Sequence, residues 1–126
     1  MKINLAISIL ILPFFVFTQS KQNQEIDSLL SVWEDTSFHD TLRADAFQSF
    51  IYKKYFRTDL DSAKLLSEEH LRFTKQSKVG KSILNSYLLN AMVSSRTGDY
   101  KSAIDYSYKA LNHKECENQW RCQATF

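Results

Sequence analysis

Apolar residues recur along this chain at steps of three and four, the spacing of a single helix face. Ile26, Leu29, Leu30 and Trp33 form the first stripe and predict a short helix from about Gln24 to Glu34. The stretch Ser37 to Thr41 breaks the pattern. Asp40 or Thr41 can cap the following helix by accepting a free amide of its first turn. Phe47, Phe50, Ile51 and Tyr55 mark one face of that helix, which runs to about Phe56. Asp59-Leu60-Asp61-Ser62 opens a third, with the stripe Leu60, Ala63, Leu66, His70 and Phe73 or Thr74. It fades between Lys75 and Lys81, where Gly80 is the predicted stop. Leu84, Tyr87, Leu88, Ala91, Met92 and Ser95 predict the buried face of a fourth helix. Thr97-Gly98-Asp99-Tyr100 reads as a tight turn, with Gly98 taking the left-handed conformation and Asp99 capping the fifth helix. In that helix Tyr100, Ala103, Ile104, Ser107, Ala110 and Leu111 share one side, and Lys101, Asp105 and Lys109 belong in water. Cys116 to Phe126 is patterned like the start of another helix.

Composition narrows the fold class to all-α. The chain has 126 residues, enough for one small domain, with two glycines and one proline, Pro13. A sandwich or barrel needs many turns rich in those residues. Hydrophobic content of 44% with 13% aromatics is too high for a disordered chain. Sixteen basic residues stand against fourteen acidic ones, a formal net charge of +2. No basic run is present, which argues against nucleic acid as a partner.

The first twenty residues have the layout of a secretory signal. Met1-Lys2 is positive, Ile3 to Phe17 is almost wholly apolar, and Thr18-Gln19-Ser20 offers small residues to a peptidase. Cleavage is expected between Ser20 and Lys21, with an uncleaved membrane anchor as the alternative. Export would place Cys116 and Cys122 in an oxidising compartment. Six residues apart on one helix they would face different sides, so the expectation is two unpaired thiols or a pairing outside this chain. Zinc would need four ligands, and only His113 is near.

Helix pairs joined by tight turns direct attention to repeats. Asp61-Ser62-Ala63 and Lys101-Ser102-Ala103 match, and their alanines are 40 residues apart. Small residues there let two crossing helices approach closely. The residues resemble the tetratricopeptide repeat. Leu84 to Glu117 has its 34-residue length. Tyr87 stands at its early aromatic position, Ala91 at its first small residue and Gly98-Asp99-Tyr100 at its turn. Ala103 and Ala110 stand at the alanines of its second helix. Asn90, Ser94, Ser107 and Glu115 depart from the pattern. Thr41–Lys81 resembles a more diverged repeat with a lengthened second helix.

The layout is also similar to the exported N-terminal region of bacterial signalling proteins, through Ile26 to Leu30, Asp40-Thr41-Leu42-Arg43 and Asp59 to Ala63. The resemblance implies antiparallel hairpins stacked as a short α-solenoid, divided into a signal peptide (1–20), a leading helix and linker (21–40), a diverged hairpin (41–83), a repeat (84–117) and the start of a further, truncated one (118–126). It implies a periplasmic sensor or scaffold that binds a protein or peptide, attached to a membrane through the N-terminus or a further C-terminal helix. The alternative is a small secreted helical protein that self-associates through its repeat ends.

No arrangement in the sequence suggests an enzyme. His39, His70 and His113 are scattered, and His70 lies on an apolar stripe as a packing residue. Glu68-Glu69 reads as a solvated face, and no nucleophile elbow or phosphate loop is present. No cofactor or metal site is expected. Stacked hairpins instead supply a groove. The resemblance puts peptide-binding positions at Tyr87, Asn90, Ser94 and Arg96, with Asn90 either clamping a peptide or merely tolerated. Lys53 and Lys54 offer a positive spot or a solvated surface. Tyr100 is expected in the core, and Tyr106 and Tyr108 at an edge or groove.

Overall fold

The computed structural model describes residues 20–113 of the chain. Residues 1–19 of the expected signal sequence, Cys116, Cys122 and the expected start of a third repeat lie outside the described residues. Within them the protein is all-α, with no strand. Helix α1 is described over residues 20–34. It is followed by α2 (Asp40–Lys54), α3 (Leu60–Ser77), α4 (Gly80–Arg96) and α5 (Tyr100–Leu111). The order of packing is α2 on α3, α3 on α4 and α4 on α5, with a smaller direct contact between α2 and α4.

Local chemistry sets the helix starts. The Asp59 carboxylate accepts the Ser62 amide at 3.0 Å, and forty residues later the Asp99 carboxylate accepts the Ser102 amide at 3.2 Å. Both are N-caps that satisfy a first-turn donor. The start of α2 differs from the expected cap at Asp40 or Thr41. His39 is the cap, its Nδ1 accepting the Thr41 amide at 3.3 Å. Asp40 sits one step inside, where it suits the helix dipole and pairs with Arg43 at 3.2 Å. The end of α3 is also corrected. Lys78, with φ of 56°, turns the chain in the left-handed region, and Gly80 opens α4 instead of closing α3. Gly98 does take the left-handed turn, at φ of 79°.

The main core joins Phe47, Phe50, Ile51 and Phe56 to Ala63 of α3 and to Leu89 and Val93 of α4. Burying each large side chain stabilises the fold by on the order of 2 kcal/mol. Helix α1 closes this core with Ile26, Leu29, Leu30 and Trp33. Trp33 stacks on Phe47 with centroids 4.0 Å apart and meets the edge of Phe73 at 4.7 Å. The Arg43 guanidinium lies over both Trp33 and Phe73, and its Nε donates to the Trp33 carbonyl at 3.0 Å. A smaller core between α4 and α5 is built on Leu84 and Ala110, with Tyr87 and Leu88 beside them.

Candidate functional site

Helix α4 is packed on two sides, and this decides where an open face is left. Its buried residues include Ser82, Ser86, Asn90 and Ser94 as well as Leu84, Leu89 and Val93. The expected single stripe from Leu84 to Ser95 is therefore corrected. Met92 and Ser95 of that stripe are exposed, and a polar stripe is buried in their place.

Hydrogen bonds offset the cost of that burial at Ser86 and Asn90. Asn90 Nδ2 donates to the Ser67 and Ser86 carbonyls, each at 2.8 Å, while Oδ1 lies 3.1 Å from the Ser67 hydroxyl. His70 Nε2 donates to the Ala44 carbonyl at 2.9 Å, and Nδ1 lies 2.9 Å from the Ser86 hydroxyl, which also meets Thr74. Burial lowers the His70 pKa to about 4, against the smaller opposing effect of the Ala44 bond. His70 is thus a joint between α2, α3 and α4, and no ligand is needed to explain it.

The open face lies between α4 and α5. Ala91, Met92, Ser95 and Arg96 form one wall, and Phe56 adds to it from the turn after α2. Tyr100, Ala103, Ile104, Ser107, Tyr108 and Leu111 form the other. The groove has a volume of about 980 Å³. Tyr100 is 67% exposed, Ile104 57% and Tyr108 61%, so the expected core place of Tyr100 is corrected. Only Ala110 of the predicted α5 stripe is buried. Arg96 is the single charged residue of the lining, with its guanidinium 5.0 Å from the Phe56 ring.

The four groove positions implied by the repeat resemblance do not converge. Asn90 is 2% exposed and bonded inside, and Ser94 is buried with it, so neither side chain lines the groove. Tyr87 is half-buried on the α5 side, edge-on to His113 at 6.3 Å and beneath Lys75. Arg96 alone reaches the groove. Among the repeat-defining residues, Ala63, Ala91 and Ala110 are buried, and Ala103 lines the groove. Gly98 and Asp99 form the turn and cap, and hydrogen bonds from Ser102 hold the Asp99 carboxyl below the usual carboxylate range. Lys53 is paired with Glu25 at 3.1 Å, and Lys54 lies over the rings of Phe50 and Tyr55. Met92, Ile104 and Leu111 are among the groove residues that sequence reasoning missed. All three lie on predicted stripes, but a stripe does not say whether another element covers it.

Among the described residues no group of three or more His, Cys, Asp or Glu side chains can hold a metal ion, and no helix is long and apolar enough to cross a membrane. Compared with protein-family models, curated proteins and solved structures, the chain matches none.

Proposed function

We propose that this chain is a non-catalytic protein-interaction module that receives a helix of a protein partner in the groove between α4 and α5. One observation carries the reading: Tyr100, Ile104, Tyr108 and Leu111 of α5 are all exposed beside Met92 of α4. Contiguous apolar surface of this kind marks interaction sites. Arg96 as the single charge favours a partner with a carboxylate beside its apolar stripe. Chemical-shift mapping of the full chain against a set of amphipathic helical peptides tests this. Shifts gathered on residues 91–96 and 100–111 are expected. Shifts gathered elsewhere, or none, overturn the reading. A sedimentation coefficient that rises with concentration, without peptide, assigns the groove to a second copy instead.

The helix pairs are read as tetratricopeptide-like repeats stacked as a short α-solenoid, at the exported front of a signalling protein. Support comes from the recurrence of Asp caps at Asp59 and Asp99 and from the signal layout of residues 1–20. An N-terminus at Lys21 in protein recovered from outside the cytoplasm is the expected result. Recovery only in the cytoplasm with Met1 retained overturns the export half of the proposal.

A further inference from the structure

The α4–α5 groove repeats, forty residues later, the face on which the first helix pair holds α4. Helices α2 and α4 begin forty residues apart, and so do α3 and α5. Under that step Ala63 corresponds to Ala103, Ser67 to Ser107, Ile51 to Ala91 and Phe56 to Arg96. The first member of each pair belongs to the surface that α4 covers. Ile51, Phe56 and Ala63 share a core with Leu89 and Val93, and Ser67 bonds Asn90. The second member of each pair lines the groove. The smaller core obeys the same step, with Leu84 and Ala110 standing where Ala44 and His70 meet. The groove is also continuous with the surface that α4 covers, because Phe56 belongs to the main core and to the groove wall.

From this correspondence we infer the partner's chemistry: a helix with two aliphatic residues four apart, an amide side chain directly after the first, and a carboxylate placed to meet Arg96. The aliphatic pair corresponds to Leu89 and Val93, and the amide to Asn90. Ala103 admits the helix closely, as Ala63 admits α4, because a small side chain at the crossing point lets two backbones approach. Ser107 offers its hydroxyl and its carbonyl to the partner's amide, as Ser67 does to Asn90. An amide that finds both is satisfied when the groove closes over it, whereas an aliphatic residue there leaves Ser107 without that partner. The carboxylate is where the partner differs from α4, since Arg96 replaces the aromatic Phe56 in the corresponding place.

This inference rests on the interaction reading above, and α4 itself supplies the probe. A peptide with the sequence of Gly80–Arg96 is titrated into the full chain, with chemical shifts of residues 91–111 as the readout. Binding in the groove is expected. A peptide carrying Asn90→Ala should bind about fivefold more weakly, the worth of a neutral hydrogen bond. Ser107→Ala in the chain should cost the same factor, and the two changes together little more than either alone. Ala103→Trp in the chain should abolish binding. Ser107→Ala is the variant that settles the matter if Ala103→Trp does not fold. Groove binding that ignores both the amide and Ser107 overturns the inference and leaves the interaction reading in place. Absence of groove binding by this and every other amphipathic helix overturns both.

Discussion

His70 Nε2 donates to the Ala44 carbonyl at 2.9 Å, so a side chain of α3 holds the backbone of α2 from 26 residues away. A carbonyl cannot donate, so Nε2 carries the proton of the neutral ring, while Nδ1 lies 2.9 Å from the Ser86 hydroxyl on α4. Burial lowers the pKa to about 4 from the ordinary 6.5. Above pH 6.5 the ring is neutral in both folded and unfolded chains, and the fold has its full stability. As pH falls from 6.5 towards 4, the unfolded chain takes up a proton that the folded chain refuses. Stability should fall by about 3 kcal/mol across that window and level off below it. Urea midpoints measured between pH 7.5 and 4.5 check this, with His70→Gln expected to flatten the slope. The carboxyls of Asp59 and Asp99, lowered by Ser62 and Ser102, act elsewhere. Their contribution is present above the ordinary carboxylate range and is lost only in stronger acid.

Asn90 is a structural residue with every polar atom engaged, bonded to Ser67 and Ser86. Asn90→Ala leaves the Ser67 carbonyl and hydroxyl buried with fewer partners. It should cost about 2–3 kcal/mol and lower the Tm by roughly 10 °C or more. Calorimetry gives the loss. Peptide capture by the groove, measured well below the new Tm, should be unchanged. Lost capture with an unchanged Tm would return Asn90 to the binding surface.

Periodicity exposes the helices because apolar steps of three and four repeat over every one of them. The faces are harder. Helix α4 has neighbours on both sides, and within its buried stripe of Ser82, Ser86, Asn90 and Ser94, Ser86 and Asn90 are held by side-chain hydrogen bonds that hydropathy does not register. Tyr100 and Ile104 lie on a true apolar stripe, yet no described element covers it, and coverage is a property of the neighbour rather than of the stripe. The cap at His39 is hidden for a chemical reason: an imidazole nitrogen takes the role usually assigned to a carboxylate or hydroxyl oxygen. The Asp59 and Asp99 caps are legible because each stands directly before an apolar-periodic run.

The turn between α3 and α4 is hard to place from sequence because a lysine does what glycine ordinarily does. Lys78 holds φ of 56° and is exposed, while Gly98 holds 79° with open space where a Cβ would stand. A left-handed backbone costs a side chain about 1 kcal/mol through contact with its own carbonyl. Lys78→Gly should therefore stabilise the protein, by roughly 0.5 kcal/mol once the freer unfolded chain is counted. Gly98→Ala should destabilise it by about 1 kcal/mol, with the strain confined to the backbone. Paired urea titrations measure both, and opposite signs are the expected result.

Ile104 separates folding from binding. It is 57% exposed on α5, in the middle of the groove wall, between Tyr100 and Tyr108. A substitution that breaks no buried contact usually shifts stability by less than about 0.5 kcal/mol, so Ile104→Asp should leave the Tm within a few degrees of the parent. The same change puts a carboxylate where a partner helix would bury its apolar stripe. Burying that charge against apolar side chains costs several kcal/mol unless it is paired. Capture of helical peptides should fall by more than a hundredfold, roughly the effect of 3 kcal/mol. The contrast lies in the two readouts together. Lost capture with an unchanged Tm places the site on α5, whereas a large drop in Tm would show that Ile104 belongs to the core and that the groove is packed in solution.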